Sequence, residues 1–282
     1  MPAINASRNG RLVAIASRDP ERAGHLAGKH GVPTVAPDYA AVLRDRDVDA
    51  VYIPLTNDVH REWTLRALAA GKHVLCEKPL AMNAAEAEEM AAAARAARLC
   101  LMEAFMYRFH PRTRGFVEHL LARDPPTQVE AKFGFTMSHA GDFRLVPELG
   151  GGALLDVGCY TVNIARWLLG EPDTVSGEAR IDTETRVDMT ATARLHFPGD
   201  ATASLWCSFE SPEEQVLRVV TAQGELTLQK PFGARVDTED PYQLMVESFG
   251  DSVTGDGKVV IPPADSVANM RVLDRIRQAA GI

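Results

Sequence analysis

AGKHVLCEKPLA, residues 70–81, is the stretch from which the rest of this chain can be read. Residues 72–75 read as a buried strand, and the chain then turns through Glu77, Lys78 and Pro79. In an open parallel sheet the carboxyl ends of the strands face the ligand crevice. An ammonium at Lys78 can there bind a cofactor hydroxyl or bias the protonation of a neighbour. Taken alone, a lysine before a proline reads as a solvated turn residue.

Toward the N-terminus, residues 12–16 (LVAIA) form a short apolar run that reads as a buried strand. Asp19 caps the next helix, with Pro20 at its first position and Gly31 at its end. A minor strand at 33–36, a short helix at 38–44, a second buried strand at 49–53 (DAVYI) and a helix at 58–69 lead back to the opening stretch. Beyond it come an alanine-rich helix at 83–97 and a strand at 99–103. Repeated strand–helix alternation predicts a parallel sheet covered on both faces. The pattern changes near residue 126. Residues 127–137 alternate, one amphipathic helix spans 153–169, and strands follow at 174–182, 186–197, 201–209, 215–222 and 225–230. Turn signals at 198–200 and 223–224 separate them, which predicts an antiparallel sheet with helices on one face. Helices at 241–254 and 263–280 close the chain.

With 282 residues, 46% of them apolar, the chain has room for two domains and their cores. Its net charge of −8 and the lack of a basic run argue against nucleic acid or an anionic membrane as partner. No apolar stretch reaches membrane-spanning length, and residues 1–18 hold no secretory core with a cleavage site. Four cysteines without a CxxC pair and scattered histidines give no metal-ligand spacing, and a reducing cytoplasm suits such thiols.

Three strings in order carry a resemblance: residues 70–81, residues 102–111 (MEAFMYRFHP) and residues 150–170 (GGGALLDVGCYTVNIARWLLG). Together they resemble the glucose–fructose oxidoreductase, inositol dehydrogenase and rhizopine-catabolism (Gfo/Idh/MocA) family, from about Arg11 to the C-terminus. The resemblance implies a Rossmann-like cofactor domain over 1–110, incomplete at its N-terminus, and an α+β substrate and dimerisation domain over 111–262. A C-terminal helix, 263–282, would pack back on the first domain. It also implies hydride transfer between nicotinamide and a sugar, a cyclic polyol or a trans-dihydrodiol. Many members carry a histidine where this chain has Tyr160. The tyrosine version resembles dimeric dihydrodiol dehydrogenases and NADP-linked xylose dehydrogenases.

Tyr160 is then the expected acid–base group, with Lys78 and Asp156 in support. A phenol titrates near 10, and a neighbouring ammonium is expected to lower that value. Asp156 and Tyr160 lie four residues apart on a helix and so share a face; the competing reading of Tyr160 is a packed helix tyrosine. By resemblance, Leu55, Thr56, Asn57, His60, Glu77 and Lys78 line the cofactor, although Asn57 can equally cap the following helix. Ser17 and Arg18 stand at a strand end where an acidic residue would hold the ribose of NAD; a guanidinium there suits a 2′-phosphate, which favours NADP with NAD as the alternative. A solvent-facing arginine is the plainer reading of Arg18. Arg108, His110, Phe143 and Arg144 fall where similar proteins line the substrate pocket.

The dinucleotide fingerprint GxGxxG is absent. Residues 2–7 resemble the tail of the helix that normally follows it, and a second shortening falls near 232–240. Three explanations stand open: a start codon placed too late, a degenerate pseudoenzyme, or a sheet that closes up by pairing 12–16 directly with 49–53. The expectation is weak NADP binding by the chain as written, since the pyrophosphate normally sits on that first loop. The rival function is a non-catalytic sugar-binding or regulatory protein. The open face of the second sheet is expected to make a homodimer or a dimer of dimers.

Overall fold

The computed structural model describes residues 1–137, 141–234 and 238–282. In chain order the first half runs α1 (Pro2–Ala6), β1 (Ala14–Ile15), α2 (Pro20–His30), β2 (Thr34–Val35), α3 (Tyr39–Arg44), β3 (Ala50–Ile53), α4 (His60–Ala69), β4 (His73–Cys76), α5 (Ala84–Ala97) and β5 (Leu101–Glu103). The caps behave as the sequence predicts. Asp19 accepts from the Arg22 amide at 3.1 Å, and Gly31 takes the left-handed conformation that ends α2. Before α4, residues Asn57–Val59 form a 3₁₀ turn.

The parallel strands form two separate pieces. β1 pairs with β2, while β3, β4 and β5 make a three-stranded sheet in that order. The expected alternative in which residues 12–16 pair with 49–53 does not occur. The segment entering β1 is anchored to a later helix, α8 (Pro241–Thr254): Gln243 Nε2 donates to the Ala6 carbonyl at 3.1 Å and Asn9 Nδ2 to the Glu247 carbonyl at 2.8 Å. That anchorage fixes β1 away from β3. Tyr52 of β3, residues of α1, and Tyr242, Met245 and Val246 of α8 border a cavity of about 450 Å³ beside the free edge of β3.

The second half holds α6 (Pro111–Arg123), β6 (Gln128–Thr136), a π turn (Leu154–Gly158), α7 (Cys159–Leu169), β7 (Thr174–Ile181), β8 (Asp188–His196), β9 (Thr202–Ser208), β10 (Glu210–Thr221), β11 (Gly224–Gln229), α8 and α9 (Pro263–Ala280). α6 is unforeseen in the sequence reading, although Pro111 stands at its first turn and the His110 ring accepts from the Arg112 amide at 3.3 Å. The six strands order as β11-β10-β6-β9-β8-β7. All neighbours are antiparallel except β6 and β9, so the sheet is mixed rather than purely antiparallel. β6 inserts between two consecutive strands that run in opposite directions, and must therefore lie parallel to one of them.

One face of this sheet, with Ala191, Leu195, Ala203, Leu205, Cys207, Leu217 and Val219 buried, packs under α7 and α9. The packing is close: a Cβ on Gly158 would stand 3.0 Å from Cys207 Sγ, and one on Gly177 3.0 Å from Ile276 Cγ2. The other face carries Lys132, Thr192, Arg194, Trp206 and Arg218. α9 links the halves. Asp274 accepts from the Ala84 amide at 2.8 Å, Arg277 donates to the Met82 carbonyl at 3.0 Å, and Arg275 reaches the carbonyls of Pro172 and Asp173. No helix among the described residues is long and apolar enough to cross a membrane.

Candidate active site

β4 ends at Cys76, in register with Ile53 of β3 and Glu103 of β5. The Glu77 amide still bonds to the Ile53 carbonyl at 3.1 Å, and the chain then leaves the sheet. This turn delivers Lys78 to the helix of the third sequence string. Lys78 Nζ donates to Asp156 Oδ1 at 2.7 Å and to the Asp156 carbonyl at 2.8 Å. The same ammonium lies 5.1 Å from the centroid of the Tyr160 ring, within cation–π range. Lys78, Asp156 and Tyr160 therefore meet at one point.

The glycines of residues 150–152 make this approach possible. Gly150 and Gly152 have φ of 79° and 113°, values that side-chain-bearing residues rarely adopt. Asn57 Nδ2 donates to the Gly150 carbonyl at 2.9 Å, which ties the turn after β3 to the segment entering the site helix. A Cβ on Gly152 would fall 2.0 Å from Asp188 Oδ1. The Asp188 carboxylate needs that space because it accepts from the Leu154 amide at 2.6 Å, at the start of the π turn. Burial raises the Asp188 pKa to about 6. π turns are rare and frequently mark functional sites; here the turn holds Asp156.

Charge in the site is balanced. Asp156 Oδ2 also accepts from Arg144 Nε at 2.9 Å, and Arg144 is held in turn by Asp142 at 3.2 Å. Burial acts to raise the Asp156 pKa, but Lys78 and Arg144 together hold it below the ordinary carboxylate value. Burial likewise opposes the Lys78 charge, yet Asp156 outweighs it and the ammonium is retained.

Tyr160 departs from expectation. Burial pushes its phenol well above the ordinary value, and the surroundings, Cys159 and Glu77 among them, add to the shift. The predicted lowering by Lys78 does not occur: burial outweighs it, and the ammonium is paired with Asp156. The ring packs against Phe105, Tyr107, Phe133 and Phe232 with centroids 5.2 to 5.7 Å away. Its hydroxyl has no hydrogen-bond partner among the described residues. A neutral phenol with an unspoken-for hydroxyl beside an ammonium can give a proton to an oxygen in the crevice, or take one from it.

Two family models match this chain: the oxidoreductase family with an NAD-binding Rossmann fold over residues 1–105, and the GFO/IDH/MocA C-terminal domain over residues 125–227. The chain belongs to the Gfo/Idh/MocA oxidoreductase family. Among its relatives is a D-xylose 1-dehydrogenase (NADP(+)) of Haloferax volcanii, 38% identical over 99% of this chain and 92% of that protein. A trans-1,2-dihydrobenzene-1,2-diol dehydrogenase of Mus musculus is 36% identical over 79% of this chain and 68% of its own length. Among solved structures, a 3-ketoreductase from Actinomadura kijaniata in complex with NADP and TDP-benzene superimposes with a TM-score of 0.92. It is 30% identical and matched over 99% of this chain and 92% of its own.

Against this Gfo/Idh/MocA frame the remaining sequence candidates separate into two groups. Leu55, Thr56 and Glu77 stand at the strand ends beside Lys78; Arg144 borders Asp156, and its guanidinium lies 4.9 Å from the centroid of the Phe143 ring. Ser17 and Arg18 follow β1; Ser17 Oγ accepts from the Asp19 amide at 3.1 Å, and Arg18 is exposed with no ion pair to a described residue. Asn57 neither caps α4 nor projects into the crevice, since its side chain is spent on Gly150. The others are enclosed. His60 is fully buried, with Nδ1 2.9 Å from the Pro79 carbonyl and Nε2 3.0 Å from the Leu55 carbonyl. Arg108 is buried over the Trp167 ring, 3.8 Å from its centroid, and reaches Asn163 and Asp265. His110 is buried at the start of α6. Sequence reasoning missed Asp142, which holds Arg144, and Tyr52, whose hydroxyl donates to Glu77. The phenol inside the apolar run DAVYI could have flagged Tyr52; nothing local marks Asp142.

Proposed function

We propose that this protein is an NADP-dependent dehydrogenase or reductase acting on a carbinol or carbonyl of a sugar, cyclic polyol or trans-dihydrodiol. The observation that carries the reading is the meeting of Lys78, Asp156 and the uncommitted hydroxyl of Tyr160 at the carboxyl ends of β3–β5. Those residues fit the reactive end of a nicotinamide dinucleotide. Lys78, Glu77, Leu55 and Thr56 would line it, while Arg18 with Ser17 would take the 2′-phosphate at the end of β1. The bound cofactor supplies or accepts the hydride. Tyr160 donates its proton to the carbonyl oxygen in reduction, or takes the hydroxyl proton in oxidation. The Lys78 ammonium polarises that oxygen and steadies negative charge there. Asp156 keeps the ammonium protonated and, with Asp142, aims Arg144 toward the crevice, where Phe143 offers an apolar wall to the substrate.

The two relatives named for xylose and dihydrobenzenediol oxidation set the substrates for the test. NADP⁺ reduction by D-xylose and by a trans-dihydrodiol should be measurable, and should vanish in Lys78→Ala. Turnover of neither, at any cofactor concentration, would leave the chain as a binding protein. We further propose that the open face carrying Trp206 pairs with a second copy, and that the chain works in a reducing compartment. The second point is supported by four free cysteines.

A further inference from the structure

We propose that His60 and Glu103 are positioning residues that clamp the turn carrying Lys78 from two sides and so set where its ammonium meets Asp156 and Tyr160. For its chemical meaning this rests on the oxidoreductase reading above.

Residues 77–83 lie outside helix and strand, so no ladder holds Lys78 in place. Pro79 has no amide hydrogen to give, and the Lys78 amide reaches only its neighbour's carboxylate, Glu77 Oε2, at 3.3 Å. The turn is instead fixed by two buried side chains from other elements. The Leu80 amide donates to Glu103 Oε1 at 2.8 Å. The Pro79 carbonyl faces His60 Nδ1 at 2.9 Å, and the Leu55 carbonyl faces Nε2 of the same ring at 3.0 Å. His60 thus joins the turn after β3 to the turn after β4.

Both supports are buried. Glu103 ends β5, where the Ala104 amide bonds to the Cys76 carbonyl at 2.8 Å and locks the strand ends together. Ser266 of α9 faces the same carboxyl. His60 opens α4 and is 0% exposed; Glu103 is 1% exposed. Neither side chain can touch a substrate, so any influence on the reaction must pass through residues 78–80. Burial disfavours the charged imidazole of His60. The neutral ring has one N–H and can donate to only one of the two carbonyls at a time. Glu103 is therefore the fixed side of the clamp and His60 the side that links two loops.

The test uses the full chain with NADP⁺ and D-xylose, and three variants. His60→Phe keeps the ring and removes both nitrogens. Glu103→Leu keeps volume and removes the acceptor, while Glu103→Gln retains an oxygen for the Leu80 amide. A misplaced catalytic group costs rate rather than binding, so kcat should fall about 10- to 100-fold in His60→Phe and Glu103→Leu. KM for xylose should stay within about twofold, and Glu103→Gln should stay close to wild type. Unchanged kcat in both, or equal losses in Glu103→Gln and Glu103→Leu, would overturn the clamp. Backbone hydrogen exchange gives a readout that needs no turnover. Faster exchange confined to residues 77–82 in His60→Phe and Glu103→Leu supports the proposal, and unaltered protection there refutes it. If His60→Phe does not melt cooperatively, His60→Gln, which can still donate one hydrogen bond, should exchange between wild type and Glu103→Leu. If wild type turns over no substrate, the oxidoreductase reading falls while the exchange result still decides the clamp.

Discussion

Tyr160 is a residue whose packing and chemistry point in different directions. Four aromatic rings enclose it, yet its hydroxyl makes no hydrogen bond to a described residue. Tyr160→Phe should therefore fold as wild type and keep cofactor affinity while kcat falls about 10²–10⁴-fold, the usual range for a lost general acid–base group. Titration with NADPH alongside steady-state rates checks both halves, and an unchanged kcat would remove Tyr160 from the mechanism. Glu103 gives a prediction in pH. Burial raises its pKa to about 7, from 4.5 for an exposed glutamate. The folded state keeps the proton after the unfolded chain has released it, so folding binds protons in that window and stability falls as pH rises through it. A displacement of that size corresponds to roughly 3 kcal/mol. Denaturant melts from pH 4 to 8 should show wild type losing stability relative to Glu103→Gln between about 4.5 and 7. Parallel curves would place the carboxyl in a wetter setting than the fold shows.

At the level of elements, the contact between the π turn and the second sheet decides where Asp156 sits. Gly158 lies against Leu154 Cδ1 and Cys207 Sγ, at 2.9 and 3.0 Å from where a Cβ would stand. Gly158→Ala should cost about 1–3 kcal/mol through overpacking. Its cost should shrink in a Cys207→Ala background, because the sulfur that resists the methyl is gone. A double-mutant cycle by chemical denaturation reads this directly, and additive costs would show that the helix rides further from the sheet. The elements themselves were largely visible in sequence. Asp19, Pro20 and Gly31 punctuate α2, and the alternation of residues 201–209 sets the two faces of β9. α6 is not legible in the sequence, because Gly115 interrupts it and its apolar residues Phe116, Val117, Leu120 and Leu121 are confined to the second half. The π turn was not seen either, since its backbone is held by Asp188, which lies 34 residues from the Leu154 amide that it accepts.

Among the described residues the parallel strands fall into two pieces, and the second sheet turns one face away from its helices. The break separates β1–β2 from β3–β5; on the proposed reading the two ends of a dinucleotide would find partners here while its pyrophosphate would cross the gap. Titration of the 282-residue chain with NADP⁺ should give a dissociation constant weaker than about 10 μM, since no backbone cradle of the glycine-rich kind lies between Arg18 and Lys78. Tighter binding would show that the strand-end residues suffice. The open surface is the sheet face with Trp206 lying over Gly134, where a Cβ would come within 2.7 Å of the indole. Light scattering at micromolar concentration should find a dimer, and Trp206→Glu should shift it to monomer; a wild-type monomer would end the pairing idea.

The sequence by itself determined the family, the alternation that builds the parallel strands, the two faces of the second sheet and the choice of Lys78, Asp156 and Tyr160. Those features are local: they follow from side-chain period, caps and short strings. Tertiary structure decided what those residues do to one another. Burial keeps the Tyr160 phenol neutral, and Asp156, paired with Lys78 and with Arg144 from another segment, adds to that shift. It also decided that His60, Arg108 and His110 are enclosed by packing and that β6 enters the sheet parallel to β9. Burial and pairing are set by contacts between residues far apart in the chain, and no local pattern encodes them.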